Sequence, residues 1–318
     1  MSRKALIVGI DHYSHSSNLF GCVNDAYAVS SAIERNADGT VNFATRILTG
    51  TSEDSPVNRR DVRAAAQELF SGDGDVALFY FAGHGYIEQV GGYLICSDSL
   101  DGNDGLSLHE LVVMANDAKA KSRIIILDSC HSGIAGNAKP GEEHTTINIG
   151  VTILTASTQK QYAAEANGSG LFTSLLVDAL NGGAANLLGD VTPGSVYAHI
   201  DQSLGPWDQR PMFKTNVSTF TSLKRVQPPI SLDTLKKLRD YFEAPGSEHS
   251  LDPSYEPESS SPDEEKTAIF ADLQEMVKVN LVRPHGETHM YYAAMNSKSC
   301  KLTVLGEHYW KLLNDGVI

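Results

Sequence analysis

The sequence predicts a three-layer α/β fold with a mostly parallel central sheet over residues 1–229, followed by a small α+β module at the C-terminal end. Two observations predict this fold class. Four apolar runs (KALIVGI, DVALFYFA, RIIILD and VTILT) are typical of strands that are covered on both faces of a sheet. Segments with helical spacing separate these runs, and strands that alternate with helices of about 10–15 residues indicate right-handed crossovers in a parallel sheet.

The elements of this α/β region follow one another in chain order. The first apolar run starts at Lys4, a helical pattern comes next, and Pro56 is a stop signal before the second helix. The later apolar runs alternate with helices in the same way. We expect strands at 4–10, 42–48, 75–82, 91–96, 123–128 and 151–155 and helices at 24–35, 58–70, 108–118, 171–180 and 193–204.

The segment 243–265 differs in composition from everything before it. It contains four Pro, six Ser and eight acidic residues, with neither Lys nor Arg. Such a composition offers too little apolar surface to offset the entropy lost when a chain becomes ordered. We therefore predict a mobile acidic linker, and three parts of the chain: a main domain at 1–229, a helix with this linker at 230–265, and a module at 266–318.

The C-terminal module shows helical and strand patterns in turn. Residues 266–281 are amphipathic, 288–295 and 299–303 are expected to pair as a hairpin, and 304–313 is expected to form a closing helix. This order of helix, hairpin and helix resembles a winged-helix module. Because the module has no stripe of basic residues, we expect it to sense a signal or recruit a protein rather than to bind DNA.

Charge and hydropathy exclude several classes of protein. The 318 residues include 25 Lys and Arg against 39 Asp and Glu, a formal net charge of −14. This charge opposes binding to a phosphate backbone and is compatible with basic substrates. No run approaches about 18 apolar residues, and the N-terminus lacks the apolar stretch of a signal peptide. We expect a cytoplasmic protein that acts on neither membranes nor nucleic acid.

The four cysteines, Cys22, Cys96, Cys130 and Cys300, include no C-x-x-C pair. This spacing indicates neither a disulfide scaffold nor a zinc site. In a reducing compartment their thiols stay free. An isolated buried cysteine usually behaves as a small hydrophobic residue, and this interpretation suits Cys22, Cys96 and Cys300.

Cys130 differs from the others because of the motif around it. One central strand runs directly into Gly-His-Gly, with His84 in the middle, and another runs into Asp-Ser-Cys, which ends at Cys130. Ligands bind at the carboxyl ends of parallel strands, so we expect the two side chains to lie close together there. A neighbouring histidine helps a thiol to become a nucleophilic thiolate. The backbone N–H groups of Gly85 and Cys130 are suited to stabilise an oxyanion.

Each motif alone has a simpler interpretation. A histidine between glycines is often a turn residue, and a cysteine after a strand is often inert. The two occur together, 46 residues apart in the order His then Cys and each after a central strand, and this arrangement favours a catalytic pair. His131 is interpreted as a structural neighbour, because adjacent side chains there point apart.

The sequences YFAGHG and ILDSCHSG resemble the two signature motifs of the caspase-like C14 peptidases, in the form found in metacaspases and prokaryotic caspase homologues. The segments KALIVGIDHY, LFGCVNDA and GLFTSLLVDAL agree, and the resemblance covers about residues 3–225. It implies a caspase-like sandwich and a cysteine-type endopeptidase. In such an enzyme His84 is the general base, and Cys130 is the nucleophile that forms an acyl-enzyme.

In this family a pocket selects P1, the residue that precedes the cleaved bond. Two segments of this chain correspond to segments that line the pocket. These segments carry Asp25 in GCVNDA and Asp128 in ILDSCHSG. Carboxylates stabilise a guanidinium or ammonium group and repel an acidic side chain. In metacaspases the matching aspartates bind a P1 Arg or Lys, and Ser157 lies where the family lines the same pocket. The simpler interpretations are helix N-capping for Asp25 and a strand-end hydrogen bond for Asp128.

Acidic loops bind calcium in some metacaspases, and the segment SDSLDGNDG contains Asp98, Asp101 and Asp104. Their spacing does not fit an EF-hand loop, and only Asp98 falls where the family has a ligand. We therefore interpret these residues as turn formers, and we expect neither a metal ion nor another cofactor.

The segment that follows the nucleophile bears on activation, because caspases are often matured by cleavage there. Residues 134–149 contain one basic residue, Lys139, and it is followed by Pro140. The ring and missing N–H of proline make this a poor scissile bond. We expect an enzyme that works uncut and is controlled through its C-terminal module.

The leading hypothesis is an endopeptidase that cleaves proteins or peptides after Arg or Lys, with a C-terminal module that responds to an activating protein or small molecule. Bacterial caspase homologues often serve in antiphage defence, so the resemblance implies that setting. One alternative is a catalytically weak scaffold, which the intact His–Cys pair disfavours. The other is a DNA-binding regulator, which the 9 basic and 15 acidic residues after residue 229 disfavour.

Overall fold

The computed structural model of the protein describes residues 2–88, 91–129, 147–156, 165–166, 169–205 and 210–318. It divides into two compact units, Met1–Gln227 and Pro228–Ile318, and each is described by itself. The sequence predicted a boundary near the same place, at residue 229. Cys130, His131, Lys139, Pro140 and Ser157 lie outside the described residues.

The first unit alternates strands and helices. Its strands are β1 Arg3–Ile10, β2 Ala44–Gly50, β3 Val76–Gly83, β4 Gly85–Glu88, β5 Gly91–Leu94, β6 Leu106–Ser107, β7 Ser122–Ser129, β8 Val151–Thr155, β9 Glu165–Ala166, β10 Ser169–Gly170, β11 Asp190–Val191, β12 Met212–Asn216 and β13 Lys224–Arg225. Its helices are α1 Cys22–Glu34, α2 Arg59–Ser71, α3 Leu108–Asp117, α4 Leu171–Asp178 and α5 Pro193–Ser203.

In the described part of the chain, the central sheet has six strands in the order β12-β8-β7-β3-β1-β2. Its five strands β8, β7, β3, β1 and β2 are parallel, and β12 is antiparallel to β8. The predicted mostly parallel sheet is thus confirmed. The strand β12 is an addition that the sequence did not predict, since Met212–Asn216 contains Lys and Asn and is only partly buried.

Two apolar cores cover the two faces of this sheet, which gives the three layers. Phe79 and Phe81 of β3 belong to the core that includes α2 and α3, whereas Leu78 and Tyr80 belong to the core that includes α1 and α4. Side chains alternate between the faces because a strand has a period of two. Burying one large apolar side chain is worth about 1.5–3 kcal/mol, so both helix layers are firmly attached.

A second, antiparallel sheet of strands β4, β5 and β6 follows the end of β3. The short strand predicted at 91–96 is β5 of this sheet. Strands β5 and β6 contact α3, so this small sheet lies on the α2–α3 side of the central sheet.

The second unit contains a three-stranded antiparallel sheet in the order β14-β16-β15. Its elements are α6 Leu232–Lys236, α7 Leu238–Tyr241, β14 Glu248–Ser250, α8 Glu264–Lys278, β15 Val282–His285, α9 Met290–Met295, β16 Ser299–Leu302 and α10 Val304–Asn314. The helices predicted at 266–281 and 304–313 correspond to α8 and α10. The likeness of this unit to a winged helix stays a prediction. Among the described residues, none of the helices combines the length and apolar character that crossing a membrane requires.

The predicted hairpin between 288–295 and 299–303 is wrong. Met290–Met295 forms helix α9, and β16 pairs with β15 instead. Met290, Ala293 and Ala294 are all buried, at the i, i+3 and i+4 spacing of one helix face. Short apolar segments fit either period, and here the helical period applies.

The composition of segment 243–265 predicted a mobile linker, but this segment makes defined contacts with the rest of its unit. It contributes strand β14, which pairs with β16, and the side chains of Leu251 and Tyr255 are buried. Asp252 forms a 2.7 Å ion pair with Lys266. Hydrogen bonds from Lys266 and from the Ser254 hydroxyl lower the pKa of Asp252 to about 2. A few apolar residues and one ion pair order this segment despite its many serines and carboxylates.

Candidate active site

His84 lies directly after the last residue of β3, at the carboxyl edge of the central sheet. Its backbone N–H donates to the Tyr13 hydroxyl over 2.8 Å, and its carbonyl accepts from the N–H of Ile95 over 2.9 Å. The Tyr13 hydroxyl in turn donates to the Ile10 carbonyl over 3.0 Å. The main chain of His84 is therefore fixed on both sides.

Tyr13 supports the histidine through its ring as well as its hydroxyl. The two ring centroids are 4.7 Å apart and the planes are tilted by 47°. Burial raises the pKa of the Tyr13 hydroxyl well above its usual value, so this group keeps its proton. A Cβ at Gly83 would lie 2.6 Å from the Tyr13 oxygen, which explains why a glycine precedes the histidine.

The His84 ring is partly exposed, and its Nε2 atom lies 2.8 Å from the carbonyl oxygen of Ser17. A carbonyl oxygen only accepts hydrogen bonds, so Nε2 carries the proton of the neutral ring. Nδ1 is then the basic nitrogen.

The neighbouring strand β7 brings the second motif to the same edge. In the parallel pairing of β3 with β7, Ala82 lies opposite Asp128 and Gly83 lies opposite Ser129. The next residue along each strand is His84 and Cys130, respectively. Cys130 itself is outside the described residues, so the distance between its thiol and the imidazole stays a prediction, as does the oxyanion role of Gly85.

Asp25 and Asp128 are both buried, with 3% and 7% of their surface exposed. Asp25 is in the first turn of α1, and its Oδ2 accepts from the N–H of Gly170 over 3.1 Å. A Cβ built on Gly170 would lie 2.6 Å from Asp128 Oδ2 and 3.4 Å from Asp25 Oδ2. The two carboxylates therefore converge on the position that a side chain of residue 170 would occupy, and glycine leaves this position empty.

A chain of hydroxyl groups holds Asp128. The Thr173 hydroxyl of α4 donates to Asp128 Oδ2 over 2.6 Å, and the Tyr80 hydroxyl is 2.6 Å from the Thr173 oxygen. Since the single Thr173 proton goes to the carboxylate, Tyr80 donates to Thr173. Burial, and then the charges of Asp128 and Asp25, raise the pKa of Tyr80 well above its usual value. Tyr80 therefore remains a donor.

Helix capping, the simpler interpretation of Asp25, is the role of a different residue. Asp11 Oδ1 accepts from the N–H groups of Cys22 and Val23, over 2.8 and 3.4 Å. A negative charge at a helix N-terminus is favourable, and these bonds anchor the end of α1 that carries Asp25. Asp11 and Tyr13 were not predicted from the sequence, although polar residues directly after the first strand were the available signal.

A cleft of about 400 Å³ adjoins His84. The described residues that line it are Ser16, Ser17, His84, Gly85, Tyr86, Ile95, Ser99, Leu100, Asp101 and Gly102. Its walls come from the loop after β1, from β4, and from the turn after β5. The cleft is large enough for an amino-acid side chain.

The three aspartates of the turn after β5 have different roles. Asp98 Oδ1 accepts from the N–H of Arg59 at the start of α2, and Asp104 Oδ2 accepts from the N–H of Leu100, over 2.9 and 2.7 Å. Asp101 is exposed. Within the described ranges, no three His, Cys, Asp or Glu side chains form a group that could hold a metal ion. The turn-forming interpretation therefore accounts for Asp98 and Asp104.

The other three cysteines, Cys22, Cys96 and Cys300, are buried. Burial raises the pKa of both Cys96 and Cys300 to about 12. Their thiols stay protonated at neutral pH and do not act as nucleophiles. This agrees with the interpretation of these residues as small hydrophobic ones. Ser157, the third predicted residue of the P1 pocket, lies outside the described residues.

A parallel sheet with a histidine after one strand, and a cysteine next in sequence after the neighbouring strand, is the arrangement expected of a cysteine-type endopeptidase, a class of hydrolase. The chain matches the caspase domain of the C14 peptidases over residues 2–225, and it belongs to that family.

Similar proteins include two metacaspases. Metacaspase-1 of Mycosarcoma maydis is 29% identical over 147 residues, which cover 42% of this chain and 36% of that protein. Metacaspase-6 of Arabidopsis thaliana is 32% identical over 145 residues, which cover 42% of this chain and 39% of that protein. The matched part thus spans less than two fifths of either relative.

Two solved structures share the fold. Protein GSU0716 from Geobacter sulfurreducens superposes with a TM-score of 0.52 at 18% identity, covering 71% of this chain and 100% of that one. Caspase-1 from Spodoptera frugiperda gives a TM-score of 0.50 at 13% identity, covering 71% of this chain and 91% of that one. The predicted caspase-like α/β fold is confirmed.

Proposed function

We propose that this protein is an endopeptidase that cleaves after Arg or Lys, with Cys130 as nucleophile and His84 as general base. The observation that carries the proposal is the convergence of the Asp25 and Asp128 carboxylates beside Gly170. A guanidinium or ammonium group neutralises two such charges at once, whereas an acidic P1 side chain would be repelled. Membership of the caspase domain family supports the reaction itself.

The reaction follows from the groups at the edge of the sheet. The Cys130 thiol gives its proton to His84 Nδ1, and the thiolate adds to the carbonyl carbon of the P1 residue. The oxyanion that forms accepts hydrogen bonds from the backbone N–H groups of Gly85 and Cys130. As the C–N bond breaks, the imidazolium returns its proton to the leaving amine, and a thioester remains on Cys130.

Hydrolysis of the thioester uses the same groups. A water molecule gives a proton to His84 Nδ1 and adds to the thioester carbonyl. When the C–S bond breaks, the P1 residue leaves with a free carboxyl group, and the thiol and the neutral imidazole are restored. Thiol, imidazole and backbone N–H groups carry every step, so the proposal needs neither calcium nor another cofactor.

The proposed setting is the cytoplasm, where thiols stay reduced. Control would come from the unit Pro228–Ile318 in response to a protein or small-molecule signal, in a role such as antiphage defence. The enzyme would act without internal cleavage, and intact-mass analysis of the active enzyme tests this expectation. A preparation that is active but split within 134–149 would contradict activity without internal cleavage.

Fluorogenic peptides with Arg, Lys, Asp or Ala at P1 test the main proposal. We expect cleavage after Arg and Lys only, and none by Cys130→Ala. Asp25→Asn should lose about 2–5 kcal/mol of transition-state binding for Arg substrates, because a buried charge pair is broken. Preference for P1 Asp would contradict the proposal, as would Arg cleavage that Asp25→Asn leaves unchanged.

A further inference from the structure

The cleft beside His84 and the carboxylate pair lie on opposite faces of the central sheet. Ile95, which lines the cleft, belongs to the core that includes α2 and α3. Asp25 is on α1, and Thr173, which holds Asp128, is on α4, so the carboxylate pair lies on the other face. His84 stands at the edge between the two.

This placement determines which part of a substrate enters the cleft, given the proposed function on which the inference rests. The histidine must reach the amine nitrogen of the leaving group to return its proton. That nitrogen belongs to P1′, the residue that follows the cleaved bond. With the P1 side chain at the carboxylate pair, P1′ starts next to His84 and continues on the opposite face, where the cleft lies.

The charge of the cleft is negative. Asp101 is exposed, and among the described residues its carboxylate has no hydrogen-bond or ion-pair partner, unlike those of Asp98 and Asp104. The described lining includes no Lys or Arg. An exposed carboxylate in a cleft without a basic neighbour attracts a cation.

Tyr86 adds an aromatic surface to the same cleft. The Tyr86 residue is 43% exposed, and its ring packs directly on the backbone of Gly102, where a Cβ would lie 2.1 Å from the Tyr86 Cγ atom. This contact fixes the ring. An aromatic face near a carboxylate is a favourable environment for an ammonium or guanidinium group.

We propose that this cleft binds the P1′ residue of the substrate, and that Asp101 and Tyr86 select Lys or Arg there over Asp or Glu. The enzyme would then prefer dibasic sequences, with one cation on each side of the cleaved bond. Because Asp101 is exposed, its share of the selectivity is modest, at about two- to fivefold.

Internally quenched peptides with Arg at P1 and Lys, Ser or Asp at P1′ test the proposal. Each kcat/KM is divided by the value for an Arg-aminomethylcoumarin substrate, which has no P1′ residue, so that changes in folding or in the thiol chemistry cancel. The wild type should prefer Lys over Asp at P1′, and Asp101→Asn should reduce this ratio by about two- to fivefold. Raising the salt concentration should also reduce the wild-type ratio, because exposed charges are screened.

The matched control is Asp73→Asn, which removes the same charge shortly before β3, at the opposite end of that strand from His84. It should leave the normalised Lys-to-Asp ratio as it is. Equal cleavage of the Lys and Asp peptides by the wild type, or an equal effect of Asp101→Asn and Asp73→Asn, would overturn the assignment of the cleft. Failure to cleave the Arg-aminomethylcoumarin substrate would instead refute the proposed function, and this inference with it.

Discussion

The histidine and the carboxylate pair lie at the same edge of the sheet but are held in different ways. His84 is fixed through its main chain, while its ring stays partly exposed. Asp25 and Asp128 are buried, and hydrogen bonds to the carboxylates themselves hold them. We therefore expect that disturbing the proposed base leaves substrate binding unchanged, whereas a change around the carboxylates alters substrate binding.

The largest expected effect concerns the proposed catalytic pair. Cys130→Ala, His84→Ala and the double variant should each lose about 10⁴-fold or more in kcat, because residues that act as one chemical unit are not additive. Hydrolysis of a P1 Arg substrate measures this. Cys22→Ala is the control, and it should retain activity. Turnover by Cys130→Ala, or a double variant far slower than either single one, would show that the two residues do not act as one chemical unit.

A smaller loss is expected from Gly170→Ala, which acts on the carboxylate pair. Its φ of −65° suits any residue, so the only obstacle is the contact of a Cβ with Asp128 Oδ2. Displacing that carboxylate should cost at least about tenfold in kcat/KM for Arg substrates. Overpacking should also lower the free energy of unfolding by about 1–3 kcal/mol.

Gly72→Ala is the matched control for this variant. Its nearest neighbour would be 3.8 Å from the new Cβ, and its φ is −77°. It should therefore change neither kcat/KM nor the free energy of unfolding by a comparable amount. If Gly170→Ala behaves like Gly72→Ala, the carboxylates do not depend on the space at residue 170.

Two tyrosines allow a direct comparison of the regions. Tyr13→Phe and Tyr80→Phe each remove one buried hydroxyl, so both should lower the free energy of unfolding by about 1–3 kcal/mol. We expect Tyr13→Phe to lower kcat by about three- to tenfold with little change in KM, because it loosens the base. Tyr80→Phe should instead raise KM for Arg substrates. If both variants change the same parameter, the two regions are not independent.

The smallest expected effect is on stability at alkaline pH. The pKa of Tyr80 is raised in the folded state, whereas an unfolded tyrosine titrates near about 10. The unfolded chain therefore loses this proton first, and stability is lost as pH rises above about 10. In urea unfolding, the stability difference between the wild type and Tyr80→Phe should narrow from about pH 8 to pH 11. A constant difference would mean that burial does not hold the proton on Tyr80.

The strands that form the centre of the sheet were predictable because burial on both faces leaves them almost free of polar residues. The strand β8 was predicted with its observed bounds, Val151–Thr155, and β3 within one residue at each end. The edge strand β12 and the short helix α9 gave a weaker sequence signal. Strand β12 is partly exposed, and MYYAAM in α9 fits two periods, so neither element could be assigned from local sequence.

The candidate site was predictable to the extent that its residues follow apolar runs. His84 and Asp128 stand at the ends of β3 and β7, where parallel strands meet. Tyr13 follows the first strand, which is a sequence signal, but its contact with His84 was not predictable, and neither was that of Gly170 with Asp25 and Asp128. These contacts join residues far apart in the chain. Only the folded chain shows these contacts.

The empty space at Gly170 has a consequence for how such an enzyme can evolve. Every other amino acid carries a Cβ, so no substitution at this position avoids the contact with Asp128 Oδ2. The position therefore offers no graded series of substitutions, and one step away from glycine disturbs the proposed P1 pocket. Asp101 is exposed and can change in small steps. We expect related enzymes to differ in their preference for the P1′ residue, while their preference for the P1 residue stays the same.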